Sequence, residues 1–256
     1  MHKLYAFDLD GTLALSKSKV SAFMSQSLSQ LLDFAQICII SGGKYEQFEQ
    51  QLLAYLDPLA HLEKLHIMPT CGTRYYKWSG KAETLDFEQV YARNLTDSEI
   101  DKAVKAIEYE AKRLGLWEEK SWGGKIENRG SQITFSALGQ EAPVDQKERW
   151  DPNNTKKNKL REAVALHIPN LEVRSGGSTS IDITKKGIDK AYGMKELKKI
   201  TGIEFRQMLF FGDRLDKEGN DYPVKELGIE SIEVNNPDHT LKLVKKILND
   251  FESGKK

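Results

Sequence analysis

The chain has 256 residues, 39% of them hydrophobic and 30% charged, and its 38 Lys and Arg balance 38 Asp and Glu. That apolar content supplies a substantial core and excludes a chain disordered throughout, and the charge balance gives no reason to expect nucleic acid or an anionic membrane as partner. The two cysteines, Cys38 and Cys71, cannot form a disulfide framework, no apolar run approaches the ~18 residues of a membrane span, and the opening MHKLYAFDLD is not patterned as a signal peptide, so a cytoplasmic globular protein is expected.

Lys3 to Phe7 is a short apolar run ending at Asp8, which reads as a buried strand. Val20, Phe23, Met24, Leu28, Leu31 and Leu32 recur at helical spacing up to Phe34. Ile37 to Ile40 is a second buried strand, stopped by Ser41-Gly42-Gly43, and Tyr45 to Leu56 is again helical. This alternation predicts a parallel sheet wrapped by helices. The middle changes character. Thr96 and Glu99 stand in capping-box spacing ahead of a helix that runs to about Leu114. Lys125 to Leu138 is strand-like, broken at Arg129-Gly130. The segment Asp151 to Lys159 leads into a helix over Leu160 to His167, and Leu171 to Ile183 forms two strands around Gly176-Gly177. After Lys190 to Ile200, a helix, the first pattern returns: strands at Met208 to Phe211 and Ser231 to Val234, and a closing helix at Thr240 to Phe251. The fold expected is therefore α/β: a doubly wound, Rossmann-like parallel-sheet core from residues 1–79 and 185–256, interrupted by an α+β insert over 80–184.

Four segments could carry chemistry. In Asp8-Leu9-Asp10-Gly11-Thr12 two carboxylates stand one residue apart at a strand end, where doubly wound sheets bind ligands. Such a pair calls for a cation or a shared proton, although Asp and Gly are also ordinary turn formers. Ser41 and the backbone N–H groups at Gly42 suit a phosphate oxygen, and equally suit a helix cap. Asp213, Asp216, Glu218 and Asp221 share one loop after a predicted strand. They form either a site for a hard cation or a solvated acidic loop without EF-hand spacing. Lys190, leading a helix into the core, could balance the carboxylates or lie on the surface. A P-loop, a GxSxG elbow and zinc spacing among His2, His61, His66, His167 and His239 are all missing.

The order of these segments resembles that of the haloacid-dehalogenase superfamily of phosphoryl-transfer enzymes. The resemblance implies that Asp8 is the nucleophile, Asp10 the general acid and base, Ser41 a ligand of the phosphoryl oxygens and Lys190 a charge balance. It further implies Mg²⁺ held by Asp8, the Asp10 carbonyl, Asp213 and Asp221 with support from Asn220. The insert occupies the place of the large cap of one branch (type IIB). Within that branch Ile126-Glu127-Asn128-Arg129, Gly176-Gly177-Ser178-Thr179-Ser180-Ile181-Asp182 and Lys186-Gly187-Ile188-Asp189-Lys190 are similar to eukaryotic-type phosphomannomutases. That likeness implies a cap whose Arg129 and Arg149 hold the phosphate remote from the reaction, whose Ser180 and Asp182 hold the sugar, and which mediates a homodimer.

The sequence also departs from those mutases. Gln140 stands for a cap arginine, Lys17 for a core arginine, Cys71-Gly72 for Asn-Gly and Ser41 for Val. Neither Gln140 nor Lys17 offers the planar, charged fork that grips a phosphate in a bidentate manner. The activity expected is therefore that of a Mg²⁺-dependent phosphatase of small phosphorylated metabolites, sugar phosphates first. The alternatives are a phosphomannomutase interconverting mannose 6-phosphate and mannose 1-phosphate, and a catalytically silent metabolite-binding protein.

Overall fold

The computed structural model describes residues 1–80, 86–217 and 219–254, and these divide into two compact units, Met1–Ala92 with Asp189–Lys256 and Arg93–Ile188. The first unit is built on a seven-stranded sheet. Its strands are β1 (Leu4–Phe7), β2 (Gln36–Ile40), β3 (Leu65–Met68), β4 (Arg74–Trp78), β5 (Phe87–Ala92), β10 (Met208–Gly212) and β11 (Glu230–Glu233), in the order β11-β10-β1-β2-β3-β4-β5. The five strands from β11 to β3 are parallel, while β4 and β5 run antiparallel.

The central strands are apolar on both faces because both faces are covered. Tyr5 and Phe7 of β1 enter the core that contains α1 (Ala22–Phe34) and α8 (Pro237–Glu252), whereas Leu4 and Ala6 enter the core that contains α6 (Lys190–Thr201). Leu209 and Phe211 of β10 follow the first pair, Met208 and Phe210 the second. Helix starts are held by side chains: Ser21 accepts from Met24 N–H, Asp189 from Tyr192 N–H and Asn236 from His239 N–H.

The expected doubly wound α/β core is present, with an outer limit that differs from the sequence reading. The insert was expected to begin at residue 80, but β5 pairs with β4 from Arg74↔Ala92 to Trp78↔Phe87, so the first unit extends to Ala92 and resumes at Asp189. Residues 81–85, just after the expected start of the insert, lie outside the described residues. Helix α2 (Tyr45–Gln51) is shorter than expected, because the chain tightens into a 3₁₀ turn at Leu53–Tyr55.

Strand β3 buries a histidine. His66 is 1% exposed, with Nδ1 2.9 Å from the Tyr75 hydroxyl and Nε2 2.8 Å from Gln36 Oε1. Burial lowers its pKa to about 3, with nearby Lys77 acting in the same direction. The unfolded chain therefore takes up a proton near pH 6.5 that the folded chain refuses. This contribution to stability is complete above about pH 6.5 and is lost as pH falls toward 3. Between pH 8 and pH 5 the loss from this one group is about 2 kcal/mol. Urea titrations of the wild type and His66→Gln are expected to differ in pH dependence by that amount, and parallel curves would show that His66 is protonated in the folded protein.

The second unit has a four-stranded antiparallel sheet of β6 (Ile126–Asn128), β7 (Ile133–Ser136), β9 (Ser180–Lys185) and β8 (Leu171–Ser175), in that order. Helix α3 (Asp97–Arg113) opens with the expected capping box: Glu99 N–H donates to Thr96 Oγ1 at 3.3 Å, and Thr96 N–H donates to Glu99 Oε2 at 2.7 Å. Ala103, Ile107 and Ala111 of α3, with Leu160 and Val164 of α5 (Thr155–His167), pack on Ile133, Phe135, Ile181 and Ile183. The sheet's other face carries the polar alternates of the same strands. Helix α4 (Val144–Trp150) has no buried residue. Among the described residues no helix is long and apolar enough to cross a membrane.

Candidate active site

The registers bring three strand ends of the first unit side by side. Phe7 lies level with Ile39 on one side and Phe211 on the other, so Asp8, Ser41 and Asp213 all follow the carboxyl ends of adjacent parallel strands. The chain leaves β1 toward β2 on one side and returns to β10 on the other, the topological switch at which such sheets bind ligands.

Asp8 is buried, and its N–H donates to the Phe211 carbonyl at 2.9 Å. Lys190, the first residue of α6, is fully buried with Nζ 2.7 Å from Asp8 Oδ1 and 2.5 Å from Asp221 Oδ1. Asp221 Oδ2 accepts from Arg214 N–H at 3.1 Å. Two glycines make room for this arrangement. Gly212 has no Cβ where one would strike the Asp221 carboxylate, and Gly11 has φ +79° with its missing Cβ directed at Asp213. One oxygen each of Asp8, Asp213 and Asp221 lies within 4.8 Å of the other two.

Three carboxylates and one ammonium leave two negative charges uncompensated. The electrostatics register this: burial raises the Asp8 carboxyl well above the usual range, Lys190 draws it back, and Asp221 and Asp213 push it up again. Burial and Asp221 likewise raise Asp213. Burial opposes the charge on Lys190, but Asp221 and Asp8 outweigh it and hold the group as an ammonium. A hard, oxygen-seeking divalent cation fits this donor set in charge and in ligand type. Asp216 makes a half-exposed ion pair with Arg214, Asn220 is exposed, and Glu218 lies outside the described residues.

Asp10 is half-buried and held from two sides: Gln47 Nε2 donates to Oδ2 at 2.6 Å and Lys17 N–H to Oδ1 at 2.8 Å. Gln47, in the first turn of α2, was not singled out from sequence. Its only signal was its place just after Ser41-Gly42-Gly43. Ser41 is buried, and its Oγ accepts from Gly43 N–H at 3.2 Å. A left-handed turn at Thr70, Cys71 and Gly72 clamps this loop, since Cys71 N–H donates to the Ser41 carbonyl and Thr70 N–H to that of Gly43, both at 2.9 Å.

In the second unit, Asp182 Oδ1 accepts from Thr134 Oγ1 at 2.7 Å, and Thr134 Oγ1 accepts from Gln132 Nε2 at 3.0 Å. Burial raises the Asp182 carboxyl, with Arg129 pulling against it. Arg129 is gripped by Glu127, with Nε at 2.8 Å and an Nη at 2.7 Å from Oε2. Ser180 lies opposite Ser136, one same-face step from Asp182. Arg149 stands exposed on α4, and Gln140 Nε2 lies 3.5 Å from the Lys125 carbonyl. Thr134, Gln132 and Glu127 are partners that strand periodicity alone does not assign.

A buried acidic cluster with a lysine at the switch point of a doubly wound sheet fits a phosphoryl-transfer enzyme of the haloacid-dehalogenase type, the class to which its family match assigns the chain, and solved structures share the fold. A haloacid dehalogenase-like hydrolase from Bacteroides thetaiotaomicron matches with TM-score 0.60 at 17% identity, over 96% of this chain and 100% of that one. An IMP-nucleotidase of Plasmodium falciparum matches with TM-score 0.69 at 17% identity, over 97% of this chain and 68% of that one. The eukaryotic phosphomannomutase family matches residues 24–250, and the chain belongs to that family. Phosphomannomutases of Encephalitozoon cuniculi and Saccharomyces cerevisiae are 27% and 26% identical to it. The first match covers 98% of this chain and 95% of the relative, the second 96% and 94%.

Proposed function

We propose that the chain is a Mg²⁺-dependent phosphatase that hydrolyses small sugar phosphates through an aspartyl-phosphate on Asp8. The observation that carries the covalent chemistry is the buried Lys190 ammonium between Asp8 and Asp221, with Asp213 completing the acidic set. Asp8 Oδ attacks phosphorus as the bond from phosphorus to the sugar oxygen breaks, and Asp10 gives its proton to that oxygen. Asp10, then ionised, takes a proton from water as the water oxygen bonds phosphorus and the Asp8–phosphorus bond breaks. Gln47 and the Lys17 N–H fix the orientation of Asp10 in both steps. Lys190 offsets the repulsion between the Asp8 carboxylate and the anionic phosphoryl group. Mg²⁺, held by Asp8, Asp213 and Asp221, supplies further charge neutralisation when bound.

The reading as a hydrolase rests on Gln140. Transfer back to a sugar needs the phosphosugar retained while water is excluded. The resemblance puts an arginine at this position in the mutases, and an amide lacks its charge and fork. One lost contact of this kind costs on the order of 1.5–3 kcal/mol. The second reading, a phosphomannomutase, is favoured by family membership and by Arg129 beside Asp182.

A paired assay tests the choice. Phosphate release from a panel of hexose phosphates is measured beside conversion of mannose 6-phosphate to mannose 1-phosphate in the presence of a hexose bisphosphate, each with Mg²⁺ and with EDTA. Hydrolysis that exceeds isomerisation and vanishes in EDTA is expected; the reverse ratio replaces the phosphatase by the mutase. Gln140→Arg is expected to shift the ratio toward isomerisation by about tenfold or more, and an unchanged ratio would remove the argument from this position.

A further inference from the structure

The turn that clamps the Ser41–Gly43 loop is left-handed at three consecutive residues, with φ +49° at Thr70, +56° at Cys71 and +81° at Gly72. Glycine adopts that conformation freely. Thr and Cys adopt it at a cost, and rarely in succession, because Cβ crowds the following carbonyl oxygen. Such a turn persists only where its surroundings hold it in place.

Several attachments do so. Within the turn, Thr73 Oγ1 donates to the Thr70 carbonyl at 2.8 Å. On one side the turn meets the loop itself, through the bonds from Thr70 and Cys71 N–H to the Gly43 and Ser41 carbonyls. On another it packs against α6, one helical turn after Lys190. A Cβ on Gly72 would lie 2.5 Å from Gly193 Cα, and one on Gly193 would lie 2.8 Å from the Cys71 carbonyl oxygen, so the two backbones meet only because neither residue has a side chain. From β5, the Tyr91 hydroxyl donates to the Gly72 carbonyl at 2.9 Å, and its ring packs beside that of Tyr75 with centroids 5.7 Å apart. This last attachment is a side chain from outside the turn. Its hydroxyl can be removed without touching the loop, the lysine helix or the backbone of the turn.

We propose that Tyr91 is a positioning residue for phosphoryl transfer: through the Gly72 carbonyl it keeps the left-handed turn closed, and the closed turn holds the Ser41–Gly43 backbone where phosphoryl oxygens bind. The proposal rests on the reading that Ser41 and its loop receive those oxygens. Tyr91 acts through the turn and not on the reacting atoms. Its contribution is therefore the same for every phosphate monoester, whatever the leaving group.

The test measures the Kd of inorganic phosphate by equilibrium dialysis with Mg²⁺, and kcat and KM for a hexose 6-phosphate and for 4-nitrophenyl phosphate, at a temperature where circular dichroism shows each variant folded. Tyr91→Phe is expected to weaken inorganic phosphate roughly 3- to 10-fold and to lower kcat/KM for both esters by the same factor. Cys71→Gly relieves the left-handed turn of one side chain, so the double variant Tyr91→Phe/Cys71→Gly should recover at least half of the loss. A merely structural role for the hydroxyl would lower Tm and leave these constants alone. Gly193→Ala presses on the same turn from α6, and weakened phosphate in that variant carries the test if Tyr91→Phe does not fold. Wild-type constants in folded Tyr91→Phe, or a loss that Cys71→Gly does not relieve, would overturn the assignment of Tyr91 while phosphate release stands. Weakened phosphate binding in Tyr91→Phe, relieved by Cys71→Gly, in a protein that releases phosphate from neither ester would support Tyr91 and overturn the phosphatase reading instead.

Discussion

Asp8→Asn is expected to lower phosphate release by a factor on the order of 10⁴ or more, and to leave the protein folded with a Tm no lower than that of the wild type. An amide cannot accept the phosphoryl group, and loss of a covalent nucleophile ranks among the largest single effects known in catalysis. Stability is kept for an electrostatic reason. Asp8 is one of three crowded carboxylates, and burial together with Asp221 and Asp213 disfavours its charge. The variant removes that charge, while Lys190 keeps Asp221 at 2.5 Å. Steady-state phosphate release and a thermal scan on the same preparation check both halves. Turnover within tenfold of the wild type would show that Asp8 is not the nucleophile.

Lys190→Met, unlike Asp8→Asn, strikes stability as well as rate. The ammonium is fully buried and bonded to two buried carboxylates, so removing it leaves both without their counter-charge. Breaking a buried ion pair from one side destabilises by about 3–5 kcal/mol. Urea unfolding at pH 7 should show that loss, and Asp8→Asn in the same chain should recover part of it, because one of the stranded carboxylates is then neutral. A loss below about 1 kcal/mol, or a double variant whose loss is the sum of the two single ones, would mean that the three groups are not coupled in the folded protein.

How much of this was readable beforehand depends on the range of the interaction concerned. Asp8, Ser41, Asp213 and Lys190 each mark the end or start of an element, so local hydrophobic pattern was enough to find them, and their order joined them into one site. Strand β3 was not read, because His66 interrupts its short apolar run, and that histidine is satisfied only by Tyr75 and Gln36 from neighbouring strands. Strands β4 and β5 escaped notice for a related reason. Arg74 and Lys77, and Glu88 and Gln89, break up their apolar residues, yet the pairing from Trp78↔Phe87 to Arg74↔Ala92 carries the first unit's sheet to Ala92. Gln47 bonds to an acid that lies far from it in sequence, and a helix pattern cannot show which residue its polar side meets. In the second unit, Asp182 was read from its segment, but Thr134 and Arg174 stand beside it only through strand register.

The covalent step on Asp8 is tested most directly by rapid acid quench during turnover of a hexose phosphate with Mg²⁺, followed by peptide mapping in a mass spectrometer. The account predicts a phosphoryl group on the peptide that contains Asp8, removed by hydroxylamine and missing in Asp8→Asn. A phosphoryl group on any other side chain, or a full turnover of released phosphate with Asp8 unmodified at every time point, would contradict it.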